Sequence, residues 1–189
     1  MIQQGIMNFF TDASIVSGKS CMRLGGTYGF LRVDKSRIIY DEFAGYSLIS
    51  DINYLECKAI YHCLLHILNN HQSRTKYYIF TDSSNSYDYL EKYCSKKILG
   101  TKHWRFNRQI VETESLINYL IQVNVDIHII DIKGHCKNSN QLLVYLNNKT
   151  PGFSLEDCKL ILFGNKSIDH YIRDVAKHKE LHPYILYDN

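Results

Sequence analysis

The sequence predicts an α/β fold: a mixed five-stranded sheet, three antiparallel strands followed by parallel ones, flanked by helices. Three observations carry this. Asn8-Phe9-Phe10 and Tyr77-Tyr78-Ile79-Phe80 are apolar, aromatic runs that both close on Thr-Asp-small-Ser, at Thr11 to Ser14 and at Thr81 to Ser84. Such a pair suggests neighbouring strands that deliver carboxylates to one place. The first three β-like runs have short connections, which favours an antiparallel meander. Beyond them, helical and strand patterns alternate, which calls for crossovers and parallel pairing.

Taken in order, residues 6 to 14 read as the first strand. Gly25-Gly26 opens a second run, Thr27 to Val33, and the polar turn Asp34-Lys35-Ser36 leads to a third, Arg37 to Tyr46. Both are rich in β-branched and aromatic residues. From about Asp51 to Asn69 the period changes. Ile52, Leu55, Ala59, Ile60, Cys63, Leu64, Ile67 and Leu68 recur at helical spacing, with Asp51 as N-cap. Glu56 lies among those apolar positions. It either borders the solvent face or is paired or bound to a cation, because a lone buried carboxylate is costly. Lys76 to Phe80 is the fourth strand, and Ser84 to Tyr93 a short helix beginning at the acid-bearing corner. A basic stretch follows, with Lys96, Lys97, Lys102, Trp104, Arg105 and Arg108. Arg108 to Val123 reads as a helix and Val125 to Ile132 as a fifth strand buried on both sides. Residues 138 to 163 are less regular, with a helix expected through Leu142, Leu143 and Leu146, a turn at Pro151-Gly152 and a second short element. The closing helix is expected from about Lys166 to His178.

The bulk numbers fit one domain spanning residues 1–189. Hydrophobic residues make up 45%, so the chain is globular rather than disordered. A net charge of +3 permits a polyanionic partner without demanding one. The six cysteines show no zinc spacing, and free thiols point to a reducing cytoplasm. No basic-then-apolar leader begins the chain, and no apolar run approaches the roughly eighteen residues of a membrane span.

Four acids have addresses on separate elements: Asp12, Glu56, Asp82 and Asp169. Gathering carboxylates costs repulsion, which divalent cations remove. An oxygen-rich set suits Mg²⁺ or Mn²⁺, and two such ions serve phosphodiester hydrolysis.

At this point the sequence resembles the type 1 ribonuclease H family. Thr11-Asp12-Ala13-Ser14 is similar to its first-strand motif, and Asn53-Tyr54-Leu55-Glu56 with Ala59 to its first-helix motif. Thr81-Asp82-Ser83 is similar to its fourth-strand motif, and Ile132-Lys133-Gly134-His135 to the loop with its mobile histidine. Gly164-Asn165 through Asp169 to Arg173 resembles its final helix. The resemblance implies a ribonuclease H-like fold and hydrolysis of the RNA strand of an RNA–DNA hybrid. By the same resemblance Asp12, Glu56, Asp82 and Asp169 would hold two Mg²⁺ ions, with Mn²⁺ as a substitute, and His135 would assist proton transfer or product release. Asn53 is expected to contact a 2′-hydroxyl, and Ser83 and Asn85 a phosphate. Lys96, Lys97, Lys102, Trp104 and Arg105 are placed like the basic protrusion that some members use to hold the DNA strand.

The chain departs from the family between His135 and Asp169, where it is far longer. Residues 138–163 are expected as an insertion before the C-terminal helix, serving as a lid, a partner-docking surface or a substitute for other binding elements. Asp157 and Asp174 compete with Asp169 as fourth acid, and Asp169 is preferred because Asn165 and Arg173 fall in register with it. The protein is expected to act as a monomer. Alternatives are a catalytically silent scaffold or nucleic-acid-binding domain, and a junction resolvase of the same fold.

Overall fold

The computed structural model describes residues 5–17, 23–93, 104–132, 136, 138–178 and 186–188. Three strands come first: β1 (Gly5–Ser17), β2 (Arg23–Val33) and β3 (Ile39–Ser47). Then follow α1 (Ile52–Asn70), β4 (Thr75–Thr81), α2 (Ser84–Tyr93), α3 (Trp104–Gln122) and β5 (Asp126–Asp131). Helices α4 (Ser139–Lys149) and α5 (Leu155–Lys177) and a short β6 (Leu186–Asp188) complete it. The strand order is β5-β4-β1-β2-β3-β6. β1, β2 and β3 pair antiparallel, while β4 pairs parallel with both β1 and β5. The five expected strands are therefore present with the expected directions. β6, parallel to β3 along Gly45 to Ser47, adds a sixth that the sequence pattern did not reveal.

Strand alternation sends successive side chains to opposite faces. On β1, Phe9 joins the core against α1 and α3, whereas Phe10 joins the core against α5. Phe10 faces Phe80 across the parallel β1–β4 pair, the rings stacked with centroids 5.1 Å apart. Asp12 follows Phe10 by two residues on the same face of β1, and Asp82 follows Phe80 by two, just past the end of β4. The register pairs Thr11 with Thr81, so β4 ends one residue before Asp82 with Asp12 the next residue along β1.

Helix α1 is capped as expected: Asp51 Oδ1 accepts from the N–H groups of Asn53 and Tyr54. The structure corrects three other expectations. The helix expected from Arg108 begins earlier, so Trp104 and Arg105 of the basic stretch form the first turn of α3. β5 is an edge strand, buried fully only at its end, where Ile130 packs on the α5 side. The closing helix starts at Leu155, not Lys166, so the segment expected as an insertion is α4 plus the first turns of α5. Its start is fixed by a capping box in which Ser154 and Asp157 bond reciprocally. Gly164 therefore lies mid-helix, where glycine normally costs stability.

Packing explains that glycine. A Cβ on Gly164 would stand 2.3 Å from the Phe10 ring, so only glycine lets α5 approach β1 this closely. Phe10 is fully buried and stacked, and cannot move aside cheaply. Gly164→Ala is expected to destabilise the protein by about 1–3 kcal/mol through overpacking, although alanine is the better helix former. Thermal unfolding measures this, and an unchanged or raised midpoint would refute the close-approach argument.

Among the described residues, no helix is long and apolar enough to cross a membrane.

Candidate metal centre

The site forms where β4 ends beside the interior of β1, with α1 and α5 alongside. Asp12 is 9% exposed and accepts the Ala13 N–H at 2.8 Å. Glu56 reaches in from α1 at 7% exposure, so the buried alternative holds and the solvent-bordering one does not. Asp82 follows the last residue of β4. Asp12, Glu56 and Asp82 each offer an oxygen within 4.8 Å of the others.

The electrostatics are those of acids crowded in a poorly hydrated place. Burial pushes the Asp12 carboxyl up to about 7, and the neighbouring Asp82 charge adds to the effect. Burial likewise raises Glu56 well above its ordinary value, with Asp12 and then Asp82 contributing. Asp82 is raised too, mainly by burial, and a hydrogen bond from the Asn165 side chain opposes the rise. Among the described residues, the buried Glu56 Oε2 has no hydrogen-bond partner, although the carboxyl as a whole is within reach of Ala13 and Asp12. An unpartnered carboxylate oxygen facing two further carboxylates is a donor set without its acceptor. An all-oxygen set of this kind fits Mg²⁺ or Mn²⁺.

Helix α5 supplies the outer wall. Asn165, Asp169 and Arg173 line a cleft of about 380 Å³ with Asp82, Cys136, Leu162 and Lys166. Asp169 contributes to the raised values of both Asp12 and Asp82, and its carboxylate pairs with Arg173 at 2.7 Å. The competitors for fourth acid are used elsewhere. Asp157 belongs to the capping box of α5, and Asp174 pairs with His178 at 3.3 Å.

Three of the expected nucleic-acid contacts cluster beside the acids. Asn85 Nδ2 donates to Asn53 Oδ1 at 3.0 Å, and Ser83 Oγ donates to Ser86 Oγ at 3.0 Å. Arg105 sits apart from them. It lines a groove of about 520 Å³ between α1 and α3, with Tyr54, Lys58, Arg108 and Gln109 among its walls. His135, Lys96, Lys97 and Lys102 lie outside the described residues, and of Trp104 only its helical placement is described.

One acid escaped the sequence reading. Asp131 ends β5 after the apolar pair Ile129-Ile130, but without the Thr-Asp-small-Ser ending that marks Asp12 and Asp82. It is 4% exposed and accepts from Ser84, Tyr145 and Lys149.

A family model described as RNase H matches residues 4–148. The chain belongs to the RNase H family. The match ends within α4, so α5, with Asn165 and Asp169, lies beyond it. No curated protein sequence matches the chain. Among solved structures, the RNase H domain of PFV, prototype foamy virus, is 14% identical with a TM-score of 0.58, covering 93% of this chain and 97% of that one. LC9-RNase H1, described as a type 1 RNase H with the type 2 active-site motif, is also 14% identical, with a TM-score of 0.53. It covers 94% of this chain and 74% of its own. At these identities the likeness shows the RNase H fold.

Proposed function

We propose that this RNase H family member is an endonuclease that hydrolyses the RNA strand of RNA–DNA hybrids with divalent metal ions. The observation that carries the reading is the convergence of Asp12, Glu56 and Asp82 within 4.8 Å, with the buried Glu56 oxygen unpartnered. Asp169, on the cleft wall, is the fourth carboxylate. Together the four would hold two Mg²⁺ or Mn²⁺ ions, which when bound would activate a water and stabilise the leaving oxygen.

The chain's own residues do the rest. Asn165 holds the Asp82 carboxylate in orientation. Arg173 draws Asp169 toward the cleft rim and keeps its charge from adding fully to the inner acids. Asn53, tied to Asn85, presents an amide where an RNA 2′-hydroxyl distinguishes RNA from DNA. Ser83 and Asn85, at the start of α2, meet a phosphate at a helix N-terminus. Arg105 and Arg108, with Lys58 in the same groove, carry the DNA strand electrostatically. His135, placed by sequence one residue before Cys136 of the cleft wall, serves proton transfer or product release.

The test presents end-labelled RNA–DNA hybrid, double-stranded RNA, double-stranded DNA and a four-way junction, with Mg²⁺, Mn²⁺ or chelator. Metal-dependent cleavage of RNA in the hybrid alone is expected. Cleavage of the junction instead would make the protein a resolvase. Hybrid binding without cleavage in any metal would make it a silent binding domain. Within the same assay, Arg105→Ala combined with Arg108→Ala is expected to raise KM about tenfold at low salt while leaving kcat within about twofold, since phosphate contacts supply salt-dependent affinity.

A further inference from the structure

Asp131 is a buried carboxylate, its side chain only 3% exposed, and it belongs to none of the groups assigned a role above. Such a group is tolerated only when fully bonded. Here the bonds come from two elements. Ser84, the first residue of α2, donates its Oγ to Oδ1 at 3.2 Å. Tyr145 and Lys149 of α4 both donate to Oδ2, the lysine at 2.7 Å. The Lys149 ammonium also lies 4.8 Å from the centre of the Tyr145 ring and 5.3 Å from that of Tyr87 on α2. Asp131 thus joins α2 to α4 across the end of β5.

The place where it does so matters. Asp131 is in register with Thr81, the last residue of β4, so the ladder stops one residue before Asp82. Beyond that point the Asp82 corner is held by local bonds. Ser83 N–H donates to Thr81 Oγ1 at 3.2 Å, and Ser84 N–H to the Asp82 carbonyl at 3.1 Å. On one side the corner is tied to α1, where Ser86 Oγ donates to the Asn53 carbonyl at 3.4 Å. On the other side it is tied to Asp131. Carboxylates that repel one another must be held in place by their supports if they are to meet a cation at ligand distance, and loosened supports cost metal affinity.

We propose that Asp131, braced by Tyr145 and Lys149 of α4, is a positioning residue that fixes the Asp82 corner for metal binding. The proposal rests on the metal-binding reading of Asp12, Glu56 and Asp82. It gives α4 a role in the centre that needs no partner and no lid.

The test is calorimetric titration of Mn²⁺ into the full chain, with the unfolding midpoint measured beside it. Ser84→Ala and Tyr145→Phe remove one bond each without changing charge. Each is expected to raise the Mn²⁺ dissociation constant about threefold, and Asp131→Ala about tenfold or more. Asp131→Asn keeps an oxygen for Ser84 and is expected to stay closer to the wild type than Asp131→Ala. If Ser84→Ala and Tyr145→Phe bind Mn²⁺ like the wild type, the proposal is overturned and Asp131 serves stability alone. Absence of Mn²⁺ binding in the wild type would overturn the metal reading and this proposal with it.

Discussion

Asp82→Asn is expected to lower cleavage of the RNA strand by a factor on the order of a thousand, about 4 kcal/mol of transition-state stabilisation, while hybrid binding stays within about twofold. The substitution keeps the size and shape of the side chain and an oxygen for Asn165. What it removes is one anion from three crowded carboxylates. The surviving pair, Asp12 and Glu56, offers a cation one carboxylate fewer. Single-turnover cleavage with saturating hybrid measures the effect, and retention of more than a tenth of the wild-type rate would refute it. Substitutions at the other acids rank the cleft wall. Asp169→Asn is expected to cost less, since Asp169 is half-buried and shared with Arg173. Asp174→Asn, on an exposed pair with His178, leaves the rate unchanged.

How much of this was legible in the sequence depended on whether the signal was local. Asp12 and Asp82 were legible because each ends an apolar run, and the parallel strands carry those runs as neighbours up to Thr11 and Thr81. Glu56 was legible as an anomaly, a carboxylate inside an apolar stripe. The start of α5 was misread because Gly164 looks like punctuation between elements. Its reason is a contact with Phe10, more than a hundred and fifty residues away in the chain, which no local pattern contains. The true start signal, Ser154 with Asp157, was present but uses aspartate where glutamate is the commoner partner. β6 was illegible for a similar reason: three residues next to β3 carry too little periodicity to register. Asp131 also follows an apolar run, but it lacks the Thr-Asp-small-Ser ending of Asp12 and Asp82. Its partners, Ser84, Tyr145 and Lys149, lie far off in the chain, so no local pattern marks it.

In the absence of metal, Asp12→Asn is expected to stabilise the protein at pH 8, and to abolish the stabilisation that Mg²⁺ gives the wild type. The sign follows from the shifts. Asp12 ionises ordinarily near 3.8 but in the fold near about 7, chiefly through burial. Between those values the folded protein holds a proton that the unfolded chain has released. The stability this provides is complete below the unfolded value and is lost as pH rises through the folded one. Glu56 and Asp82 are raised in the same sense and reinforce the slope. The metal-free wild type should therefore melt several degrees lower at pH 8 than at pH 5, at about 2–4 °C for each kcal/mol in a chain of this size. A cation that binds only the folded, ionised cluster reverses the loss by mass action. Asparagine keeps the Ala13 bond, carries no charge to strand, and relieves its two neighbours of repulsion. Comparing wild type with Asp12→Asn at each pH removes the contribution of histidines that titrate in the same range. A variant that melts below the wild type at pH 8 without metal would mean that the three carboxylates are not strained against one another. The buried, unpartnered oxygen of Glu56 would then no longer point to a cation.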